Sequence, residues 1–252
     1  MDKITLVMFC YKDDENILEY SLKAANNIFG DDLKIALIDD NNNPISLDYL
    51  ENLRKILTCE FVYQRSYFNR NYNLNGKECV YGEVDCFIKH SKDREGIVIK
   101  LDPDTIIFKR NLIDNFISCN SVYSSTGYYG GHCYMMKTSI LEKGKKMLDN
   151  FEIPDNCGPE DYIIGLAMCA ADVSKRSSFL LSEWTSGNPS ADSTWWNFDN
   201  SVIRENIKLY YDMVEIICFG GWKSHPICND KWYRIEPMKM LLQYQEEQNT
   251  VI

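Results

Sequence analysis

The first hundred residues alternate between apolar runs and segments in which apolar residues recur at helical spacing. The apolar runs are near-continuous, as in parallel strands that are buried on both faces. They cover residues 4–10, 34–40 and 60–63, and a fourth, Ile97-Val98-Ile99, lies near the start of the segment 96–108. Helical spacing covers about 13–29, 46–57 and 77–91, with Gly30 ending the first helix and Ser46 as the N-cap of the second. These repeated strand–helix units predict a mostly parallel sheet with helices on both faces.

The second half of the chain has a less regular pattern. Short β-like runs lie within 122–137, 178–184 and 213–219, and helical spacing covers 138–148 and 159–170. No linker rich in Pro, Gly or Ser interrupts the chain, which predicts one domain over residues 1–252. From Lys231 onward, apolar and aromatic residues favour a packed terminal helix. The alternative is an amphipathic segment that makes peripheral contact with a membrane, because cationic residues are interleaved there.

Composition excludes some classes of partner. The formal net charge is -10, whereas proteins that bind nucleic acid along its backbone are normally basic. A small anionic ligand is still compatible with this charge if a metal ion bridges it to carboxylates. No apolar run is long enough to cross a bilayer and no signal-peptide pattern is present. We therefore expect a cytoplasmic protein, with the inner face of the membrane as the alternative location. The 10 cysteines are scattered without a C-x-x-C pair, which indicates reduced core residues.

One D-x-D sequence, Asp102-Pro103-Asp104, directly follows the apolar run that begins at Gly96. It is therefore expected at the carboxyl end of a buried strand, which is where open α/β sheets bind ligands. In an extended chain, side chains two residues apart point the same way, so both carboxylates can converge on one Mn²⁺ or Mg²⁺. The alternative is a solvated acidic turn.

A second acidic pair, Asp39 and Asp40, ends the second predicted strand. In a parallel sheet it lies at the same edge as Asp102. A carboxylate at this position can accept hydrogen bonds from a nucleobase or from ribose hydroxyls. The alternative is a polar turn leading into the run of asparagines that follows.

Two motifs in the second half are candidates for the rest of a site. Gly130 and Gly131, followed by His132, allow a close approach of backbone to ligand, or else form a β-turn or bulge. Glu160 and Asp161 begin a predicted helix, where the helix dipole favours an ionised carboxylate. For an isolated acidic pair, helix capping is the simpler interpretation.

The last three candidate site residues, His225, Lys223 and Trp184, lie in the C-terminal part of the chain. His225 can supply a third metal ligand, or it can be a structural histidine. Lys223 is a candidate for binding a diphosphate. Trp184 can stack on a sugar ring or pack in a core.

The order of these motifs resembles that of GT-A glycosyltransferases over most of residues 3–170. The matching parts are the opening strand, Ile38-Asp39-Asp40, Asn75-Gly76 entering a helix as in bacterial family-2 enzymes, Leu101-Asp102-Pro103-Asp104, and Gly130-Gly131 followed by Glu160-Asp161-Tyr162-Ile163-Ile164-Gly165. The last pairing is similar to the glycine-rich acceptor loop and the E-D box of inverting β1,3-type transferases. The resemblance implies an α/β fold of the GT-A type: a Rossmann-like, mixed but mostly parallel sheet flanked by helices. Residues 1–108 would form its nucleotide-sugar half and 109–252 its acceptor half.

The resemblance also implies ligands and roles. The donor would be a nucleoside-diphosphate sugar, most often a UDP-sugar, and the acceptor a hydroxyl of a glycan, a glycolipid or a protein-linked glycan. Mn²⁺ or Mg²⁺ would be held by Asp102, Asp104 and His225. Donor contacts would come from Asp39, Asp40, Lys77, Asp102 and Lys223, and acceptor contacts from Gly130, Gly131, His132 and Trp184. Asp161 would be the general base, with Glu160 as the alternative, and one base opposite the leaving group predicts inversion.

Two rival functions share parts of this pattern. A sugar nucleotidyltransferase has a similar sheet and metal, but usually a glycine-rich basic loop after the first strand, where this chain has the acidic stretch Cys10-Tyr11-Lys12-Asp13-Asp14. A non-catalytic glycan- or nucleotide-binding module would keep the fold without turnover. The presence of all three aspartates, Asp102, Asp104 and Asp161, favours the enzyme.

Overall fold

The computed structural model describes residues 3–68, 76–126, 131–153, 160–172, 178–181, 184–185, 211–212, 215–219 and 232–250. The strands are β1 (Lys3–Cys10), β2 (Leu33–Asp39), β3 (Glu60–Arg65), β4 (Gly96–Leu101), β5 (Thr105–Ile107), β6 (Tyr123–Thr126), β7 (Cys133–Lys137), β8 (Ser178–Leu181), β9 (Trp184–Thr185) and β10 (Ile216–Cys218). The helices are α1 (Glu15–Phe29), α2 (Leu47–Ile56), α3 (Lys77–Ser91), α4 (Asn111–Ser118), α5 (Leu141–Leu148), α6 (Glu160–Ala171) and α7 (Trp232–Thr250).

A mixed, mostly parallel sheet forms the centre of the protein, as the sequence predicts. Its strand order is β3-β2-β1-β4-β7-β6-β8. The strands β3, β2, β1 and β4 are parallel, and β7 runs antiparallel to both β4 and β6. Because β6 and β7 come from the second half of the chain, the two predicted halves share one sheet. The parallel strands β2 and β4 end at the same edge, which brings Asp39 and Asp102 to that edge.

The two faces of the sheet bury different helices, which explains the continuous apolar runs. Along β1, Leu6 and Met8 pack with residues of α1, α2 and α4 on one face. Val7 and Phe9 pack with residues of α3, α5 and α6 on the other face. Both sets are almost fully buried. A strand covered on both faces needs apolar residues at consecutive positions rather than at alternate ones.

The C-terminal segment is a packed helix. In α7, Met238, Leu241 and Leu242 are buried in a cluster that includes Phe108 of the segment after β5. The side-chain amide of Gln245 donates hydrogen bonds to the carbonyls of Ala24 and Phe108, both at 3.3 Å. These three residues thus belong to the core, and peripheral contact of the tail with a membrane stays a prediction. Within the described ranges, no helix is both long and apolar enough to cross a membrane.

Two local features add detail to the predicted elements. Ser46 occupies the N-cap position of α2, but its side chain makes no capping hydrogen bond; its backbone N–H donates instead to Glu15 Oε1 at 2.5 Å. The predicted strand before the D-x-D sequence ends at Leu101, as expected, and a tight turn follows in which the N–H of Thr105 donates to the carbonyl of Asp102 at 3.1 Å. Pro103 occupies the second position of that turn, where its fixed φ is favourable. After the turn, β5 leaves the main sheet and joins β10 and β9 in a small second sheet.

Candidate active site

The D-x-D sequence forms the turn between the main sheet and the small sheet, and both sides of the turn are anchored. The N–H of Asp102 donates to the carbonyl of His132 at 2.8 Å, and the N–H of Phe219 donates to the carbonyl of Asp104 at 2.7 Å. Cys218 Sγ lies 3.8 Å from Asp104 Oδ1. The prediction that an extended backbone aligns the side chains of Asp102 and Asp104 is wrong, because the chain turns here. The turn itself carries both carboxylates. Both aspartates are partly exposed.

The chemistry of this turn fits a divalent cation. Two carboxylates on a partly exposed turn are the ligand set by which Mg²⁺ is commonly bound, with substrate phosphates and water completing its shell. In the described part of the chain, no group of three or more His, Cys, Asp or Glu side chains is arranged to hold a metal ion. The predicted third ligand, His225, lies outside the described residues. The structure therefore places two of the three predicted ligands and leaves the metal site as a prediction.

A buried lysine that the sequence analysis did not single out lies next to the turn. Lys100 is the penultimate residue of β4 and is 1% exposed. Its Nζ donates to Asp102 Oδ1 at 2.6 Å and to the carbonyl of Gly131, and it lies 3.6 Å from Glu160 Oε1. Burial alone lowers the pKa of an ammonium group, but the adjacent carboxylates of Asp102 and Glu160 raise the pKa of Lys100 above its ordinary value. Lys100 thus links the D-x-D turn, the glycine loop and the start of α6.

The two predicted catalytic acids begin α6 and are almost completely buried. Glu160 is 5% exposed and Asp161 is 3% exposed. Burial raises the pKa of Glu160 well above its ordinary value, against the opposing effect of Lys100, and the nearby charge of Glu83 adds to the increase. Burial also raises the pKa of Asp161, while the backbone N–H of Tyr162 and the ammonium of Lys100 oppose that shift. A carboxylate with a raised pKa is a better proton acceptor than an exposed aspartate.

Asp161 Oδ1 is buried and has no hydrogen-bond partner among the described residues. A Cβ atom built on Gly131 would lie 3.8 Å from this oxygen and 3.7 Å from Glu160 Oε1. The glycine loop therefore lies against the two acids, and the missing side chain of Gly131 leaves space beside Oδ1. Buried polar atoms are nearly always paired, so an unpaired one at this place suggests a bound ligand.

A polar network supports these acids from inside the protein. Tyr134 of β7 donates its hydroxyl to Glu83 Oε2 at 3.0 Å, and Cys79 Sγ lies 3.3 Å from Glu83 Oε1. The Lys100 ammonium lies 5.5 Å from the centre of the Tyr134 ring. Tyr123 donates its hydroxyl to the backbone carbonyl of Asp161 at 3.1 Å. Neither Glu83 nor these tyrosines were predicted as site residues.

The acidic pair at the end of β2 is divided between two environments. Asp39 is fully buried and accepts hydrogen bonds from the backbone N–H of Ile45 at 3.0 Å and from the Tyr63 hydroxyl at 2.7 Å. Burial raises its pKa, although the hydrogen bond from Tyr63 opposes the change. Asp40 is partly exposed, and its Oδ1 accepts the backbone N–H groups of Asn42 and Asn43 at 2.7 and 2.9 Å. Of the two, Asp40 is the one that a nucleoside can reach in this conformation.

The structure describes only some of the remaining residues that were predicted for the site. Lys77 is the first residue of α3 and is exposed. His132 is partly exposed beside the D-x-D turn. Trp184 lies in β9, paired with Ile217, and its side chain lies outside the description. Gly130 and Lys223 fall outside the described residues. The roles assigned to all of these residues remain predictions.

Comparisons with known proteins identify the fold. No protein-family model matches the chain, and no curated protein sequence matches it. The apo structure of the bifunctional glycosyltransferase WbbM aligns with a TM-score of 0.58 and 8% identity, over 98% of this chain and 51% of that one. The galactosyltransferase LgtC, in complex with donor and acceptor sugar analogs, aligns with a TM-score of 0.53 and 12% identity, over 95% of both chains.

A third similar structure is the apo form of the glycosyltransferase GlyE from Streptococcus pneumoniae TIGR4. It aligns with a TM-score of 0.51 and 12% identity, over 99% of this chain and 64% of that one. The chain thus spans about half of WbbM and under two thirds of GlyE. At such low identities the likeness concerns the backbone fold alone. The chain therefore has the GT-A fold that the sequence predicts.

Proposed function

We propose that this protein is a metal-dependent glycosyltransferase that moves a sugar from a nucleoside-diphosphate sugar, of the UDP-sugar class, to an acceptor hydroxyl with inversion. The observation that carries the proposal is Oδ1 of buried Asp161, which has no hydrogen-bond partner among the described residues. Gly131 lies against it, and Lys100 links the same helix terminus to Asp102. The proposed proton acceptor and the D-x-D turn would thus belong to one site. The similar structures support it, because WbbM, LgtC and GlyE are glycosyltransferases and one LgtC structure holds donor and acceptor sugar analogs.

The D-x-D turn would bind the donor. Asp102 and Asp104 would hold Mn²⁺ or Mg²⁺, which when bound supplies Lewis-acid stabilisation of the departing diphosphate. Asp40 would accept hydrogen bonds from the nucleoside at the end of β2, which is separated from β4 by β1 on the same sheet edge. The anchored backbone of the turn keeps both carboxylates in place, because its hydrogen bonds to His132 and Phe219 belong to different elements. A preorganised site of this kind does not have to rearrange as charge develops.

Asp161 would take the proton from the acceptor hydroxyl. Its Oδ1 has no partner among the described residues, so a hydroxyl that enters beside Gly131 would satisfy it. Glu160 Oε1 lies 3.6 Å from the ammonium of Lys100, which would serve as its counterion. Because Asp161 Oδ1 has no partner among the described residues, we favour Asp161 over Glu160 as the base. Attack from the side of a single base, opposite the leaving group, gives inversion.

Donor and metal binding can be tested by thermal shift. UDP, GDP, CMP and their sugars are each added with Mn²⁺ or with EDTA, and a ligand that binds only the native state raises the melting temperature. We expect a Mn²⁺-dependent shift with one nucleotide that is lost in Asp102→Asn. Asp114→Asn is the matched control, because Asp114 of α4 forms a partly exposed ion pair with Arg110, the N-cap residue of the same helix. No shift with any nucleotide in the native protein would contradict the proposal.

Turnover separates the enzyme from a binding module. Asp161→Asn removes the proton acceptor and leaves the D-x-D turn intact. We therefore expect this variant to keep the nucleotide-dependent thermal shift and to lose transfer, by about 100-fold or more. A binding module would show the shift and no transfer in either protein. NMR of the product then gives the anomeric configuration, and retention of the donor's configuration would refute inversion.

A further inference from the structure

The ammonium of Lys100 is fixed in place by groups from three elements. It bonds to Asp102 Oδ1 at 2.6 Å and to the carbonyl of Gly131, and it lies 3.6 Å from Glu160 Oε1. The side chain is 1% exposed, so it cannot swing into solvent without breaking these contacts. A cation that approaches the turn therefore meets an Asp102 whose Oδ1 is already occupied.

This contact also changes the charge that the turn presents. Asp102 and Asp104 together carry two negative charges, and the adjacent ammonium cancels one of them. A divalent ion on the second oxygen of Asp102 would be held close to this ammonium. Repulsion between the two cations would weaken binding of the ion roughly tenfold, even at the dielectric constant of water.

From these contacts we propose that Lys100 is a positioning residue. Its hydrogen bond occupies Oδ1 of Asp102, and its charge makes the turn a weak binding site for a divalent cation when no nucleotide is present. Asp102 can then bind a metal ion through its second oxygen alone. The negative charge that the turn lacks would be supplied by the donor diphosphate, so metal and donor would bind as one unit. This inference rests on the proposed function, since it concerns the metal and donor of the same site.

The test is the affinity of the nucleotide-free protein for Mn²⁺, measured from the EPR signal of free Mn²⁺. We expect Lys100→Met to bind Mn²⁺ roughly tenfold more tightly than the native protein, because one nearby positive charge is removed. We also expect added UDP to increase Mn²⁺ affinity strongly in the native protein and much less in Lys100→Met. A lysine with a purely structural role would give weaker binding or no change after its removal, never tighter binding.

The matched control is Lys34→Met. Lys34 also lies in a strand of the main sheet, its side chain is 15% exposed, and it pairs with Glu60 at 3.1 Å. It stands near the start of β2, whereas the D-x-D turn follows the end of β4. The same change in net charge at this position should leave Mn²⁺ affinity unchanged. Tighter binding in both variants would mean that overall charge is responsible, and would overturn the proposal.

In Lys100→Met the buried Glu160 loses its counterion, which can prevent folding of that variant. A second comparison is therefore designed to keep the test decisive. Lys100→Met combined with Glu160→Gln removes both members of the buried pair, and Glu160→Gln alone is its reference. The double variant should bind Mn²⁺ roughly tenfold more tightly than this reference. Equal or weaker binding in a folded variant overturns the role of Lys100. If the native protein and all variants fail to bind Mn²⁺ with and without UDP, the metal-dependent function itself is wrong.

Discussion

Replacing Gly131 with alanine tests the proposed position of the acceptor at Asp161. The added Cβ would lie 3.6 Å from Asp161 Cγ, 3.7 Å from Glu160 Oε1 and 3.8 Å from Asp161 Oδ1. These are ordinary van der Waals distances, so the folded protein can accommodate the methyl group without moving its neighbours. The free energy of unfolding should therefore change by about 0.5 kcal/mol or less, as for most substitutions that create neither a cavity nor a clash.

Activity should respond much more strongly than stability. A reacting hydroxyl has to approach a general base to about 2.6–3.2 Å. The methyl group of Gly131→Ala would stand next to Asp161 Oδ1 in the space through which we propose that the hydroxyl enters. A displacement of the acceptor by about 1 Å can cost roughly 100-fold in rate. We therefore expect transfer to fall by about 10- to 100-fold, while the Mn²⁺-dependent thermal shift with the nucleotide remains.

The assay compares transfer kinetics with urea denaturation for two glycine variants. Gly165→Ala is the contrasting control, because its Cβ would lie 2.8 Å from the Tyr123 ring and should destabilise the fold by about 1–3 kcal/mol through overpacking. In Gly131→Ala the order is reversed, with activity lost and stability kept. Transfer at the native rate in a folded Gly131→Ala protein would refute an acceptor site between Gly131 and Asp161.

Three further measurements test the core and the titrating groups. Leu241 of α7 is 3% exposed, so Leu241→Ala should lower the free energy of unfolding, measured by urea denaturation, by about 2–5 kcal/mol. A loss below about 1 kcal/mol would show that α7 is not part of the core. Burial lowers the pKa of His90 to about 4, so between pH 6.5 and 4 the unfolded chain takes up a proton that the folded protein does not. The free energy of unfolding should therefore fall as the pH drops from 6.5 towards 4, and His90→Gln should flatten this part of the curve. An equal slope in both proteins would contradict this assignment to His90. Because burial raises the pKa of Asp161, kcat/KM should decline on the acidic side with an apparent pKa above the ordinary aspartate value of 3.8, and an acid limb at or below that value would exclude Asp161 as the base.

The local pattern was sufficient for the sheet and most of its helices. The run over residues 4–10 predicted a doubly buried strand, and β1 is covered on both faces. Helical spacing over 77–91 predicted α3 with its observed limits. Parallel strands joined by helices place their carboxyl ends at one edge, so Asp39 and Asp102 could be assigned to the same edge before the structure was known.

The local sequence pattern could not predict features that depend on contacts between segments far apart in the chain. The insertion of β7 between β4 and β6, antiparallel to both, requires pairing of Leu101 with Cys133 and of Tyr123 with Met136. Nothing in the short β-like runs of 122–137 specifies these partners. The burial of Asp39 was missed for the same reason, because its partners Ile45 and Tyr63 come from the segments that precede α2 and form β3.

Lys100 and Glu83 show where sequence reasoning could have gone further. Lys100 interrupts the otherwise apolar β4, and Glu83 follows Val80 by three positions and precedes Val84 and Phe87 on the buried side of α3. A charge at a position whose neighbours are all buried is costly unless it is paired, so each of these residues predicted a partner of opposite charge or a hydrogen-bond donor. The identity of the partners depended on distant segments, because Tyr134 of β7 reaches Glu83, and Glu160 of α6 lies beside the Lys100 ammonium. A single charged residue in a buried strand two positions before a D-x-D turn is therefore a signal in its own right, because its side chain lies on the same side of the chain as the first aspartate.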